Sequence, residues 1–74
     1  MSTQMLTAVV QREGDGWVSW CPELDVASQG ATVEEAKANL QEAVDLFLDT
    51  ASPTEVQQRL RTETYLSALE VRIG

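Results

Sequence analysis

Apolar and polar positions alternate from residue 5 to residue 12. Leu6, Ala8 and Val10 fall on one side, with Met5, Thr7, Val9 and Gln11 on the other. A period of two predicts a strand. Gly14-Asp15-Gly16 follows, a turn signal because glycine tolerates the positive φ that a tight hairpin demands. Trp17 to Cys21, rich in aromatic and β-branched residues, is the returning strand, and Pro22 ends it for want of an N–H to donate. Asp25 to Gln29 is predicted as a third short strand, closed by Gly30. These segments make a three-stranded antiparallel meander.

The period then changes. Thr32 is a good N-cap, and Glu35 can complete a capping box. Val33, Ala36, Leu40, Ala43, Val44, Phe47 and Leu48 form one stripe at helical spacing, while Glu35, Glu42, Asp45 and Asp49 occupy the outer surface. Ser52-Pro53-Thr54-Glu55 repeats the start signal with proline at the first helical position, and Val56 and Leu60 support a short helix of about two turns. From Tyr65 to Ile73 two readings compete. Leu69, Val71 and Ile73 alternate with Glu70 and Arg72 as in a strand, whereas Leu66 and Leu69 could extend a helix. Thr62, Thr64, Tyr65, Val71 and Ile73 favour extended backbone, and the strand is preferred.

The expected fold is therefore α+β, a single domain over residues 1–74 in the order β-β-β-α-(short α)-β, with the main helix packed on one face of one sheet. The other face is left uncovered by this chain. Trp17 and Cys21 fall on one side of the second strand and Val18 and Trp20 on the other, so both faces carry apolar mass. An exposed apolar sheet face is an association surface by default.

Length sharpens this expectation. A chain of 74 residues buries a smaller fraction of its surface than a longer one, so a staple is expected. One cysteine cannot close an internal disulfide, and a chain with no histidine has no zinc site of the usual nitrogen and sulfur type. Self-association to a dimer or tetramer, or a permanent partner, remains.

The net charge is −7 and is unevenly placed. Up to Ser52, nine acids stand against Arg12 and Lys37; from Pro53 onward, Glu55, Glu63 and Glu70 balance Arg59, Arg61 and Arg72. Such a surface argues against direct nucleic-acid binding, which needs a basic footprint, and suits a basic partner. The N-terminal residues lack a basic stretch leading into an apolar run, and no 18-residue apolar segment exists. A cytoplasmic protein with no membrane association is expected.

Candidate chemistry is sparse. Without histidine, the usual base for a serine or cysteine nucleophile is missing. Cys21 has no lysine or arginine beside it in sequence and reads as a structural thiol. Glu23-x-Asp25 reads as a solvated turn, and Glu34-Glu35 as first-turn carboxylates favoured by the helix dipole. Neither Gly14-x-Gly16 nor Gly30 has the spacing of a phosphate loop. Trp17 and Trp20 read as packing residues. No metal, no cofactor and no enzymatic activity are expected.

The runs Trp17-Val18-Ser19-Trp20-Cys21-Pro22-Glu23-Leu24, Ser28-Gln29-Gly30-Ala31-Thr32-Val33-Glu34-Glu35-Ala36 and Asn39-Leu40-Gln41-Glu42-Ala43 resemble the HicB-like antitoxin family of type II toxin–antitoxin systems. The resemblance covers residues 6 to 50 and implies a small β-β-β-α-β domain. It further implies a partner, the HicA-like toxin, a small basic protein that cleaves mRNA and is neutralised by occlusion of its active face. An acidic protein facing a basic RNA-binding surface gains electrostatic steering. On this physical ground Trp17 and Trp20 are candidate apolar anchors, and Glu23, Asp25, Glu35, Glu42 and Asp45 candidate charged contacts.

The chain departs from fuller members, which carry a C-terminal DNA-binding module. Here Pro53 to Gly74 follows the main helix with no net charge, so autorepression by direct DNA binding is not expected. The family has also been likened to a reduced RNase H fold. The first strand lacks any carboxylate for two-metal chemistry, which leaves nuclease activity unsupported. The alternative to the antitoxin reading is an orphan homo-oligomeric domain, a scaffold or small-ligand binder without a toxin.

Overall fold

The computed structural model describes residues 3–74; Met1 and Ser2, part of the expected 1–74 domain, lie outside the described residues. The order is β1 (Val9–Glu13), β2 (Gly16–Cys21), β3 (Val26–Gly30), α1 (Val33–Thr50) and α2 (Pro53–Leu60). The strands form an antiparallel sheet in the order β1-β2-β3, with Val10 opposite Ser19, and Ser19 opposite Ser28. This is the expected α+β fold, a meander followed by a long and a short helix.

β1 is shorter than the alternation predicts and starts at Val9 rather than Met5. The reason lies in Thr7, whose N–H donates to the Glu23 carboxylate instead of joining a ladder. Gly14, at φ 60°, turns the chain between β1 and β2, as glycine allows. Between β2 and β3, Asp25 holds φ 54°, a left-handed conformation that aspartate tolerates better than most residues.

Both helix starts form as their sequences dictate. Thr32 Oγ1 accepts from the Glu35 N–H at 3.0 Å, and Ser52 Oγ accepts from the Glu55 N–H at 3.1 Å, satisfying otherwise orphaned donors. Glu35 completes its box one residue early, accepting from the Ala31 N–H at 3.1 Å. Of the predicted stripe, Ala36 and Leu40 are buried and Ala43, Val44 and Phe47 partly so, while Val33 and Leu48, at its two ends, are exposed.

The core is small. Cys21, Leu24 and Leu40 are buried together, with Leu6, Val26, Val44, Phe47 and Leu60 packed around them. Ser19 is buried under α1 and donates its hydroxyl to the Ala36 carbonyl at 2.8 Å, so the one buried polar side chain among the described residues is satisfied. Gly30 permits this close seating. A Cβ there meets Ala36 N at 2.5 Å and Glu35 C at 2.8 Å. Arg59 anchors α2: its guanidinium lies 4.5 Å from the Phe47 ring centroid, donates to the Leu24 carbonyl and pairs with Glu55 at 3.1 Å.

The predicted terminal strand does not form. Residues 61–74 belong to no ladder and no helix, and all are exposed. Neither the strand nor the helical extension is realised, because no backbone lies alongside residues 65–73 to complete a ladder, and a lone strand leaves its N–H and C=O groups to water.

Candidate partner-binding surface

β2 sorts the two tryptophans to opposite sides, as alternation requires. Trp17, with Ser19 and Cys21, faces α1; it is half-buried, and the Arg12 guanidinium lies 5.7 Å from its ring centroid. Trp20 faces the open side, 44% exposed, and its indole N–H donates to Asp25 Oδ1 at 3.2 Å. Cross-strand pairing sets Val9 and Ala27 on either side of Trp20, and Gln11 and Gln29 on either side of Val18. The uncovered face is thus an apolar row of Ala27, Trp20 and Val9 beside a partly polar one, less apolar than the alternation predicts.

Glu23 is committed within the chain. It accepts from the Thr7 N–H (3.1 Å to Oε1, 3.0 Å to Oε2), from the Thr7 hydroxyl at 2.8 Å, and from Cys21 Sγ at 3.6 Å. Burial pushes its carboxyl up, but the hydrogen bonds from Thr7 and the backbone outweigh that and hold it below the usual glutamate value. Burial pushes the Cys21 thiol up as well; there a hydrogen bond from the Leu24 backbone opposes this only in part and the Glu23 charge adds to it, so the thiol stays raised and its thiolate, the reactive form, is disfavoured.

A measurable consequence follows for acid stability. A carboxyl depressed in the folded state contributes stability that is full above its unfolded pKa and lost as pH falls through the folded value. Thr7→Val is expected to raise the Glu23 pKa, read by NMR titration of the side chain, and to flatten the loss of stability between pH 7 and pH 3 in urea melts. An unchanged Glu23 titration in the variant would contradict the assignment.

The remaining acids group along α1. Glu42, Asp45 and Asp49 surround Leu46, which is 64% exposed, and with Ser28, Asn39 and Ala43 they line a shallow cleft of about 550 Å³ beside β3. Asn39, on its lining, donates from Nδ2 to the Gln29 carbonyl at 2.8 Å. Gln41 orients Asp45 through a 3.0 Å bond to Oδ1. Among the described residues the ion pair recorded is Arg59–Glu55, so these three carboxylates face solvent without a basic neighbour in salt-bridge range. A second cleft, lined in part by Trp17, Glu35 and Asn39, lies at the Gly16–Gly30 end of the sheet.

The structure therefore joins Trp20 to Asp25 and Glu42 to Asp45, sets Trp17 and Glu35 on an adjoining cleft that shares Ser28 and Asn39 with the first, and holds Glu23 in an internal network. Of the acidic cleft, Glu42 and Asp45 were candidate contacts in the sequence, whereas Asp49, read only as outer helix surface, and Leu46 and Asn39 were not. Leu46 lies off the apolar stripe and Asn39 carries no charge; a leucine set among acids on an outer helix face was the signal available for the first. Among the described residues no group of three or more acidic or thiol side chains has metal-holding geometry, and no helix is long and apolar enough to cross a membrane.

No protein-family model and no solved structure matches the chain. The chain is similar to a UPF0150 protein of Helicobacter pylori (strain J99), 26% identical over 68 residues that span 90% of this chain and 94% of that one.

Proposed function

We propose that the protein is a non-catalytic, antitoxin-like binding protein whose partner is a small, basic, RNA-cleaving toxin of the HicA-like kind, held by occlusion of its RNA-binding face. The observation that carries this reading is the α1 cleft, where three carboxylates without basic neighbours ring an exposed leucine. A charged rim around an apolar anchor is the anatomy of a protein-binding patch, and its sign is that of the RNA phosphates it would displace. The HicB-like runs along residues 17–43 and the UPF0150 likeness over most of the chain support it. Trp20 with Asp25 offers a second anchor on the open sheet face. The protein acts in the cytoplasm, where such a toxin meets mRNA.

The test is inhibition of RNA cleavage by a HicA-like toxin taken from a neighbouring short, basic reading frame. The wild-type protein is expected to abolish cleavage at a one-to-one ratio and to bind less tightly as salt rises. Glu42→Gln with Asp45→Asn is expected to weaken binding about tenfold, chiefly through slower association, since rim charges steer encounter. Full cleavage with excess wild-type protein at low salt would overturn the proposal.

A further inference from the structure

We propose that residues 69–73 form a strand in trans, adding to the free edge of β1 in a second copy of this chain. The tail has strand chemistry without a strand's partner. Leu69, Val71 and Ile73 alternate with Glu70 and Arg72, and Tyr65, Leu66, Leu69, Val71 and Ile73 are 63–90% exposed. Five large apolar side chains in nine residues are not the composition of a solvated tail. The tail also leaves the domain: the radius of gyration is 14.3 Å, against about 11 Å for a folded chain of this length.

The two sheet edges are not equivalent. β3 runs beside α1, and Asn39 already occupies its Gln29 carbonyl. β1 pairs with β2 alone, and its residues 11–13 are exposed. An antiparallel register that sets Glu70 opposite Arg12 matches opposite charges and places Val71 opposite Gln11 and Ile73 opposite Val9. Ile73 then extends the apolar row Ala27–Trp20–Val9 across the open face. Area agrees with the occupant. The four aliphatic side chains can bury on the order of 100 Å² each and Tyr65 about 150 Å². Reciprocal exchange between two copies doubles this to roughly 1,100 Å² before the surface it covers on β1 is added, which brings it to the lower end of the range of about 1,200–2,000 Å² typical of stable interfaces. The exchange is independent of the toxin reading.

Light scattering on the full chain at micromolar concentration is expected to give a dimer. Leu69→Asp and Val71→Pro, both at positions exposed in the folded domain, are expected to raise its dissociation constant about tenfold or more while leaving the helical circular dichroism unchanged. Register is read by mixing a Gln11→Cys chain with a Val71→Cys chain, the buried Cys21 left in place: oxidation is expected to link the two chains to each other faster than either to itself. A monomeric wild type overturns the proposal, as does a dimer indifferent to both tail substitutions. A dilute Gln11→Cys, Val71→Cys double variant that closes its disulfide within one chain also overturns it, by placing the tail on its own β1.

Discussion

Leu24→Ala is expected to lower the unfolding free energy by about 3 kcal/mol or more, the range found for large-to-small changes at fully buried sites. Leu24 is 0% exposed and sits with Cys21 and Leu40 at the centre of the core. The loss is felt beyond the cavity, because its carbonyl receives the Arg59 guanidinium that anchors α2, and a shift of the turn loosens that clamp. A domain of this size holds only several kcal/mol in all, so the variant is expected to be largely unfolded at 37 °C. Leu46→Ala is the control. The same substitution on a side chain 64% exposed is expected to change stability by about 0.5 kcal/mol or less. Paired urea melts followed by circular dichroism decide the matter, and similar midpoints for the two variants would show that Leu24 is not the centre of the core.

Gly30→Ala is expected to destabilise by a comparable amount for the opposite reason, overfilling rather than emptying. The added Cβ meets Ala36 N at 2.5 Å and Ala36 Cα at 2.9 Å, both main-chain atoms of α1 that no rotamer change can move aside. The helix must lift from the sheet, which lengthens the 2.8 Å bond from Ser19 to the Ala36 carbonyl and strands a buried hydroxyl. Overpacking of this kind costs on the order of 1–3 kcal/mol, with part of the cost of an unsatisfied buried group added. Because about 1 kcal/mol shifts the melting temperature of a domain this small by roughly 4–8 °C, a fall of about 10 °C or more is expected by calorimetry. Gly14→Ala separates the two uses of glycine. Gly14 has open space around its Cβ position but φ 60°, so its cost is local strain and α1 stays seated, with the Ser19 hydroxyl bond intact.

The acidic character of the candidate surface was legible before any fold was known, since nine of the twelve acids precede Pro53. Their division of labour was not. Glu23 and Glu42 are indistinguishable as letters, yet Glu23 receives three hydrogen bonds from Thr7, sixteen residues away, while Glu42 stands free on a helix. A partner that distant in sequence leaves no local signature. Leu24 hid for the same reason. It follows Pro22 and Glu23 in a turn, where composition predicts exposure, and only the closure of the β2–β3 connection beneath α1 and α2 brings it to the centre.

Local chemistry settled the elements. Period-two alternation, the Gly14-Asp15-Gly16 turn, the Thr32 and Ser52 caps and the helical stripe specify three strands and two helices, because each depends on neighbours within a few residues. Tertiary structure decided whatever needs a distant surface: which carboxylates are free, which leucine is the core, how near α1 may come to Gly30, and whether residues 69–73 become a strand. That last outcome marks the boundary most clearly. Alternation supplies a strand's side chains, but a strand exists only where another backbone accepts its hydrogen bonds, and this chain's own sheet places none beside them.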